Sequence, residues 1–522
     1  MEAKKKKKSK VELPKVAFKA YEQNQALLFP PALSDLIDRN HPVRVVSDVM
    51  DRIDISSLMK TYEGGGCSAY HPRMLLKVLV YGYLCNIYSS RGIESYLKES
   101  VHMMWLAGLQ RPDHNTINRF RGKRLSGVLK EVFANVVKLL VESGHVSLKQ
   151  AYTDGTKIEA NANRYTFVWA KSVETNRAKL AAQIEELWNH AEAVAAEELK
   201  DQRPEAFGAT DPQEVARTIA LIDAALGPDK KKKLPPKVRK KLDHARKTFP
   251  DRVEEYNEKE RILDDRGSYS KTDTDATFMR MKDDHLGNGQ LKPAYNAQVS
   301  SSGQYVTNYS VHRNPGDSTT FPPHFAQFEE LYGEVPQEQV TDAGYGSEEN
   351  YKLLEDNEVD AYVKHNMFHR EQLGKAPVRP FGAESLHYNA ANDTFTCPMG
   401  QPMRNIGRQS QKTSSGFVQH VDRYQAVNCT GCPLRGACHK AEGDRVMEVN
   451  HNAARLRAKA GKLLRTARGI ELRKKRSCDI ETVFGNIKQN KGFRKFMLRG
   501  IPKVEIELGL LAIAHNLKKM AS

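Results

Sequence analysis

Three acidic residues of this 522-residue chain have the types and settings of ligands for hard metal ions: Asp154 in AYTDGTKIEA, Asp342 in QVTDAGYGS and Glu481 in CDIETVFGNIK. Each aspartate follows a short apolar or β-prone run and is followed by a glycine within two residues, so both are predicted at strand ends. Glu481 lies among apolar residues at helical spacing, which predicts a helix. Hard divalent cations prefer carboxylate oxygens, and the three residues are therefore expected to form one two-metal site.

Each carboxylate also has an ordinary structural interpretation. Asp-Gly pairs such as Asp154-Gly155 form turns, and Asp342 before Ala-Gly suits a helix N-cap. Glu481, with Arg476 and Lys488 nearby, suits an ion pair on a helix surface. The combined setting of the three residues favours the metal site over three unrelated structural roles.

The charge of the chain indicates a polyanionic partner. Lys and Arg number 81 against 64 Asp and Glu, giving a formal net charge of +17, and nucleic acid is the leading candidate. Between Arg455 and Arg476 there are ten Lys or Arg and one acid, Glu471. No stretch reaches the roughly 18–20 uninterrupted apolar residues of a membrane helix. Seven cysteines in a chain of this length do not suggest a secreted disulfide framework, so we expect a soluble protein in a reducing cytosol.

The first part of the chain is predicted to be helical and to bind DNA. Residues 1–25 form a basic tail that either contacts DNA phosphates or serves only as a solvated tail. Residues 26–143 are predicted to form a helical domain whose segment PDHNTINRFRGKRL resembles the recognition helix of a helix-turn-helix. An ordinary basic surface helix is the alternative. The candidate DNA-binding residues of this segment are Asn118, Arg119, Arg121 and Arg124.

The middle of the chain is predicted to be a mixed α/β core with a helical insertion. Residues 144–170 and 267–385 supply the core, in which strands and helices alternate and KPAYNAQVSSSGQYVTNYSVHR forms a hairpin around Ser302-Gly303. Residues 171–266 have apolar positions at heptad-like intervals and prolines at 228, 235 and 236, which predict long helices with breaks. Either a solvated charged hairpin or a DNA clamp fits this insertion.

The motifs together resemble those of a bacterial insertion-sequence transposase of the Asp-Asp-Glu type, with a ribonuclease H-like catalytic fold. The resemblance covers most of residues 40–520. It is carried by five motifs: His71-Pro72 with PDHNTINRFR, TDGTKIEANAN, PAYNAQV, TDAGYGSEEN and IETVFGNIKQNKGFRKFMLRG. Such transposases have the first Asp on the first strand, the second Asp after the fourth strand and the Glu on a following helix, and the order here matches.

The resemblance implies a two-metal mechanism. Two Mg²⁺ ions about 4 Å apart, with Mn²⁺ as an alternative, clamp the attacking and leaving oxygens of a DNA phosphodiester. Asp154 is expected to bridge both ions, with Asp342 on one and Glu481 on the other. Water attacks first and frees a 3′-OH, and that 3′-OH then attacks target DNA.

Related transposases often have a Tyr-Arg-Glu-Lys signature around the glutamate, and this chain matches it in part. Lys488 lies seven residues after Glu481, about two helical turns, and is expected to hold a DNA phosphate. The positions of the arginine and tyrosine are Ser477 and Lys474. The candidates for the missing arginine are Arg476 and Arg473.

Four cysteines lie between the second aspartate and the glutamate, which are 139 positions apart. Cys397, Cys429, Cys432 and Cys438 have intervening spacings of 31, 2 and 5 residues and are predicted to bind a structural Zn²⁺ in a zinc-ribbon-like insertion, residues 386–450. Reduced structural thiols are the alternative, and His439 is an alternative ligand. Basic helices over residues 451–522 are expected to complete the core.

The sequence therefore predicts a DNA transposase that binds the ends of an insertion sequence, cleaves them and joins them to target DNA. A noncatalytic, domesticated DNA-binding protein and a ribonuclease H-like nuclease without strand transfer are the alternatives. Bringing two element ends together implies a homodimer or a larger assembly during the reaction. The expected location is the bacterial cytoplasm, on the nucleoid, with no membrane partner.

Overall fold

The protein is a mixed α/β molecule in which helices precede and follow a central sheet. The computed structural model describes residues 32–62, 69–281 and 289–522. The basic tail predicted for residues 1–25 lies outside these ranges. No helix in the described ranges is long and apolar enough to cross a lipid bilayer.

The N-terminal part is helical, as predicted. Two of its helices begin at a His-Pro pair: Pro42 and Pro72 occupy the first helical turn, and Nδ1 of His41 and of His71 accepts a backbone N–H at 3.2 Å. The helices are α1 (Pro42–Arg52), α2 (Ser56–Met59), α3 (Pro72–Leu84), α4 (Ser90–Glu99), α5 (Val101–Leu106), α6 (His114–Arg119) and α7 (Leu129–Glu142). A π-helical turn, Phe120–Arg124, continues α6.

A central sheet follows these helices. Its described strands are β1 (Gln150–Glu159), β4 (Thr277–Arg280), β5 (Leu291–Ser302), β6 (Tyr305–His312), β7 (Glu338–Thr341) and β8 (Asp360–Val363). Their order is β4-β5-β1-β7-β8, and β6 also pairs with β5. Strand β1 is antiparallel to β5 and parallel to β7, and β7 is parallel to β8. The predicted hairpin is confirmed as β5 and β6, joined at Gly303 and Gln304, which both have positive φ.

Helices α11 (Asp317–Tyr332), α12 (Glu348–Asp356) and α13 (Phe368–Gln372) alternate with the last strands of the sheet. Helix α11 begins at Asp317 and includes Pro322 and Pro323. Pro322 cannot donate to the carbonyl of Ser318, and that carbonyl instead accepts the side-chain amide of Asn350 at 3.0 Å. A partner from α12 thus replaces the helical hydrogen bond that Pro322 cannot make.

The first insertion is helical, as predicted, and has its own hydrophobic core. It consists of α8 (Ala170–Glu192), α9 (Pro212–Lys233) and α10 (Pro236–Leu263), with the chain kinked at Gly227 before Pro228. Trp188, Ile219 and Phe249 are among its buried residues. A two-stranded sheet, β2 (Phe167–Trp169) and β3 (Ser268–Ser270), brings the two ends of the insertion together.

The cysteine-rich segment forms a small antiparallel sheet, and helices follow it to the C-terminus. The described strands of this sheet are β9 (His387–Asn389), β10 (Thr394–Thr396), β11 (Pro402–Lys412), β12 (Val418–Ala426) and β13 (Val446–Val449). The helices are α14 (His451–Arg465), α15 (Ala467–Arg476), α16 (Thr482–Gly485) and α17 (Ile501–Met520), with π-helical turns at Ser477–Glu481 and Asn486–Asn490.

The N-terminal helices, the central sheet and α17 share one hydrophobic core. Leu76 of α3, Phe133 of α7, Tyr309 of β6 and Leu510 of α17 all belong to the same buried cluster. Helix α17 is buried along most of its length because it packs against both α3 and β6. Helices α3 and α7, which precede the sheet in sequence, and α17, which follows it, therefore support the sheet.

Candidate active site

Two predicted ligands stand level with each other on neighbouring parallel strands. Strands β1 and β7 pair from Gln150↔Glu338 to Tyr152↔Val340. Two residues further in the same register, Asp154 is level with Asp342. Neighbouring strands are about 4.8 Å apart, so this register brings the aspartates together although 187 residues separate them.

The ordinary structural interpretation is confirmed for Asp342 and wrong for Asp154, which lies inside β1 (Gln150–Glu159), neither at the end of that strand nor in a turn with Gly155. Asp154 is 8% exposed, and its Oδ1 accepts the N–H of Gly155 at 2.8 Å. Asp342 caps the 3₁₀ turn Ala343–Tyr345 through the N–H of Gly344, also at 2.8 Å. These bonds use Oδ1 of each aspartate, and in both residues Oδ2 lies near the same arginine.

Glu481 reaches the site from a helical segment that is anchored to the β5–β6 hairpin. Its neighbours Asp479 and Ile480 are buried, and Oδ1 of Asp479 accepts Ser301 Oγ at 2.6 Å and the N–H of Gln304 at 3.0 Å. The side chain of Glu481 itself is 57% exposed. Burial of the preceding two residues therefore fixes the backbone while the carboxylate remains exposed.

All three carboxylates converge on the guanidinium group of Arg476. Nη2 lies 2.8 Å from Asp154 Oδ2 and 3.9 Å from Asp342 Oδ2, and Nη1 lies 3.3 Å from Glu481 Oε1. Arg476 is only 8% exposed. Three acids that are remote in sequence thus surround one buried positive charge, and carboxylates alone at such distances would repel one another.

The π-helical turn explains why Arg476 reaches Glu481. The two residues are five positions apart, an interval that an α-helix turns to different faces. The turn Ser477–Glu481 has π geometry, in which residues five apart lie one above the other. The extra residue brings Arg476 to the face that an arginine four residues before the glutamate would have in an α-helix.

Helix α15 is held against the sheet by Arg468, which contacts both carboxylate oxygens of Glu338 on β7 at 2.8 and 2.7 Å. Arg473 lies 5.1 Å from the ring centre of Phe368 and donates to Gln372 at 3.2 Å. Lys488 is 8% exposed. The basic residues predicted at this site thus differ in surroundings: Arg473 contacts Phe368 and Gln372, and Lys488 is buried.

Lys364 lies level with Asp154 and Asp342 in the register of the sheet and was not singled out by any motif. The β7–β8 register, which reaches Thr341↔Val363, places Lys364 level with Asp342 one strand further on. Burial, with the guanidinium groups of Arg476 and Arg473, lowers the pKa of Lys364, and the carboxylates of Asp342 and Glu481 oppose this shift. The only sequence signal was its position just after the strand DAYV.

The predicted DNA-binding residues of the N-terminal helices differ in exposure to solvent. Asn118 and Arg119 are exposed. Arg121 is 2% exposed and donates to Tyr83 Oη at 3.1 Å and to the Tyr88 carbonyl at 2.6 Å, so its guanidinium stabilises the interior of the domain. Arg124 is half-buried and lies over the ring of Tyr62 at 4.6 Å.

The four predicted zinc ligands line one cavity of about 30 Å³ in the small antiparallel sheet, together with His439. The backbone N–H of Arg445 lies 3.4 Å from Cys429 Sγ, and its Nη1 lies 3.0 Å from Cys438 Sγ. Both ring nitrogens of His439 are buried and have no hydrogen-bond partner among the described residues. Thiol donors, a nearby imidazole and N–H groups directed at sulfur are chemically suited to Zn²⁺.

As they stand, no three His, Cys, Asp or Glu side chains in the described ranges are close enough together to hold a metal ion. At the carboxylate site the reason is visible, because a guanidinium lies where a cation would be attracted. The donor set of three carboxylates around a positive charge fits a hard divalent cation.

Two family models match the chain. One is described as "Transposase domain (DUF772)" and matches residues 31–123, and the other is described as "Transposase DDE domain" and matches residues 396–521. The second segment contains Glu481 and the four cysteines, whereas Asp154 and Asp342 lie outside both segments. No curated protein and no solved structure matches the chain.

Proposed function

Because the two family matches together indicate a DDE-type transposase, we propose that this chain binds the ends of an insertion sequence, cleaves them and joins the freed 3′-OH ends to target DNA. The observation that carries the proposal is the convergence of Asp154, Asp342 and Glu481 on Arg476. An ordinary surface gives no reason for three sequence-remote acids to gather around one buried arginine.

We assign the central sheet to a ribonuclease H-like core. Support comes from Asp154 on the first strand of the sheet, from Asp342 after the adjacent parallel strand β7, and from Glu481 on a helical segment of the C-terminal part. Along the chain β7 is the fifth strand of the sheet, because the short β4 precedes the hairpin. We propose that residues 144–170 and 267–385 form this core, and that the other domains have the boundaries predicted from the sequence.

The catalytic residues of this proposal are Asp154, Asp342 and Glu481, which would hold two Mg²⁺ or Mn²⁺ ions. Bound cations would activate the attacking hydroxyl and neutralise the charge on the leaving oxygen. Asp154 is the most buried of the three and is suited to the central position. Arg476, Arg473 and Lys364 contribute positive charge for DNA phosphates beside the carboxylates.

DNA binding would involve the basic C-terminal helices and the exposed part of the N-terminal helices. Helices α14 and α15 carry the ten basic residues between Arg455 and Arg476. Asn118 and Arg119 are exposed, and Arg124 is half-buried. Lys488 would hold a phosphate near Glu481. The reaction would take place in the cytoplasm on the nucleoid, with two element ends held by at least a dimer.

We assign a structural Zn²⁺ to Cys397, Cys429, Cys432 and Cys438. Their common cavity and the N–H groups directed at two of the sulfurs support this assignment. Four thiolates would hold together an insertion whose hydrophobic core is small. Elemental analysis of the purified protein is expected to find one zinc per chain, and to find less than one after Cys432→Ser.

The proposed chemistry is tested with DNA that carries the inverted repeats flanking the coding sequence. Asp154→Asn, Asp342→Asn and Glu481→Gln are each expected to abolish Mg²⁺-dependent cleavage and to leave DNA binding largely intact. Asp360→Asn, which neutralises an exposed acid on β8, serves as the matched control. Full cleavage by any of the three variants would contradict the assignment.

The same assay separates the proposal from its two alternatives. A nuclease without strand transfer produces cleaved ends and no joined product. A noncatalytic DNA-binding protein binds the repeats and cleaves nothing in Mg²⁺ or Mn²⁺. Cleavage followed by a joined product in wild type is the result that the proposal requires.

A further inference from the structure

We infer that Asp317 is a fourth carboxylate of the proposed catalytic centre, an inference that rests on the proposed function. Asp317 is the first residue of α11, directly after the loop that follows β6. No sequence motif singled it out. Gly155 and Gly344 have no side chains and so leave room for the Asp317 carboxyl group beside the two catalytic aspartates.

The carboxyl group of Asp317 lies between the segments that carry Asp154 and Asp342. A Cβ on Gly155, the residue after Asp154, would lie 2.5 Å from Asp317 Oδ1. A Cβ on Gly344, two residues after Asp342, would lie 3.0 Å from Asp342 Oδ1 and 3.5 Å from Asp317 Oδ2. Any larger residue at Gly155 would therefore displace the carboxyl group of Asp317.

Asp317 approaches the site from the face of the sheet opposite to Arg476. In the β1–β5 register Gly155 is opposite Gln298 and Asp154 is opposite Val299, so Gln298 and Asp154 project to different faces. Gln298 contacts Asp317, and Arg476 contacts Asp154. The pairing of β1 with β7 ends at Tyr152↔Val340, two residues before Asp154 and Asp342.

Two buried amides hold one oxygen of Asp317 in place. Oδ1 accepts Asn296 Nδ2 at 2.9 Å and Gln298 Nε2 at 3.0 Å, and both amide residues are fully buried. The side-chain carbonyl of Gln298 in turn accepts a hydrogen bond from the hydroxyl of Tyr345. Burial, with the charges of Asp317 and Asp154, raises the pKa of Tyr345 well above its ordinary value, so that hydroxyl remains a donor. Fixing Oδ1 in this way leaves Oδ2 on the side of Gly344.

An independent feature indicates that this cluster binds positive charge. Arg476 is 8% exposed and directs its guanidinium at three carboxylates, and its Nε has no hydrogen-bond partner among the described residues. Asp317 adds a fourth acid beside these three, from the other face of the sheet, and Lys364 stands level with Asp342 on the next strand. The surplus of negative charge is what a divalent cation would neutralise.

Asp317→Asn distinguishes a charged role from a structural one. Asp317 accepts the hydrogen bonds of Asn296 and Gln298 at Oδ1, and an asparagine side chain offers the same two amides one carbonyl acceptor. The variant therefore keeps the network and removes the charge. Glu330→Gln is the matched control, because it neutralises an exposed acid near the other end of α11.

The first measurement is Mn²⁺ binding by the full-length protein without DNA, followed by the electron paramagnetic resonance signal of free Mn²⁺. Asp317→Asn is expected to raise the Mn²⁺ dissociation constant on the order of 10-fold or more, with an unchanged unfolding midpoint. Glu330→Gln should bind as wild type does. If Asp317→Asn binds Mn²⁺ as tightly as wild type while Asp154→Asn does not, Asp317 has no such role and the proposed function stands.

The second measurement needs no variant and decides the question if Asp317→Asn does not fold. Fe²⁺ bound in place of Mg²⁺, with ascorbate and peroxide, produces hydroxyl radicals that cut the nearby backbone. Cuts are expected around residues 154, 342 and 481 and also around 317. Cuts at the first three alone would overturn the role of Asp317. A lack of cuts at residues 154, 342 and 481 would overturn the proposed function, and with it this inference.

Discussion

The guanidinium of Arg476 is the counter-charge of all three predicted ligands, and its removal should expose their mutual repulsion. Arg476→Gln leaves the carboxylates of Asp154, Asp342 and Glu481 facing one another. In EDTA we expect the free energy of unfolding to fall by about 2–4 kcal/mol, less than for a fully buried pair because Glu481 is exposed. Mg²⁺ should restore more stability to the variant than it adds to wild type.

Chemical denaturation in EDTA and in Mg²⁺ measures both effects. Arg473→Gln is the control, since Arg473 lies on the same helix and contacts Phe368 and Gln372 rather than the carboxylates. Equal unfolding midpoints for Arg476→Gln and wild type, with the same gain from Mg²⁺, would show that the carboxylates do not depend on this arginine.

Lys491 gives the protein a predictable dependence of stability on pH. Its Nζ is buried without a hydrogen-bond partner among the described residues, and burial lowers its pKa from 10.5 to about 8. Between pH 8 and 10.5 the unfolded chain binds more protons at this group than the folded chain does, so its contribution to stability rises with pH. Lys491→Met should raise the free energy of unfolding at pH 7 by up to about 3 kcal/mol.

Urea denaturation at pH 7 and at pH 10 tests this expectation. The difference in stability between Lys491→Met and wild type should shrink at the higher pH, whereas Lys503→Met, at an exposed position in α17, should show no such trend. A difference that is the same at both pH values would mean that Lys491 is not held with a lowered pKa.

The residue types at the site could be predicted from sequence, and their surroundings only in part. Asp154 and Asp342 were recognised because a β-prone run before an Asp and a nearby Gly is a local pattern. Lys364 and Asp317 have no such pattern, since their places depend on strand register and on the packing of α11. Burial of Arg121 was likewise invisible, because its partner Tyr83 lies in another helix.

Among the elements, α15 is the one whose position decides where Arg476 lies. Apart from Arg476 itself, α15 is tied to the sheet by the two-bond contact of Arg468 with Glu338 of β7. Arg468→Gln is expected to cost about 1 kcal/mol of stability and to lower the cleavage rate on the order of 10-fold, because small displacements of the groups around a reaction are costly. A cleavage assay and chemical denaturation measure the two effects.

Glu355→Gln provides a matched control for this element, because it breaks a similar two-bond ion pair without removing a basic residue. Arg455 of α14 contacts both carboxylate oxygens of Glu355 on α12 at 3.0 and 2.6 Å, and neither residue contacts the catalytic carboxylates. A similar loss of stability with unchanged cleavage is expected. Equal loss of cleavage in both variants would argue that stability, and not the position of α15, sets the rate.

Most elements were predictable because their signals are local. The β5–β6 hairpin and the helical insertion follow from alternation, turn residues and prolines. The π-helical turn before Glu481 was not predictable, because intervals along a helix were counted with α-helical spacing. Its effect is to align Arg476 with Glu481, which the sequence alone left undecided between two arginines.

At the scale of the molecule, the helical insertion is expected to be separable from the rest. It has its own core, and the paired strands β2 and β3 bring its ends together. Replacing residues 171–265 with a short Asn-Gly linker should leave a protein that unfolds cooperatively, with a midpoint within about 5 °C of wild type. Arg266 is retained because it donates to the backbone of Thr274 and Asp275.

Removal of residues 1–143 is the contrasting deletion. The N-terminal helices share one core with the central sheet and α17, so this shortened chain should lack a cooperative transition in thermal unfolding. If the chain without residues 1–143 unfolds cooperatively and the chain without the insertion does not, then the insertion, and not the N-terminal helices, is part of the core. The shared core was not apparent from the sequence, because hydrophobic periodicity identifies the buried face of α3 but not its partner.

The central claim is that Asp154, Asp342 and Glu481 form one cation site although they are remote in sequence. Anomalous diffraction from crystals grown with Mn²⁺ and element-end DNA tests it most directly. The account predicts Mn²⁺ peaks within bonding distance of all three carboxylates, with the Arg476 guanidinium moved from among them toward DNA. Carboxylates that remain on Arg476, with no Mn²⁺ peak beside them, would contradict it.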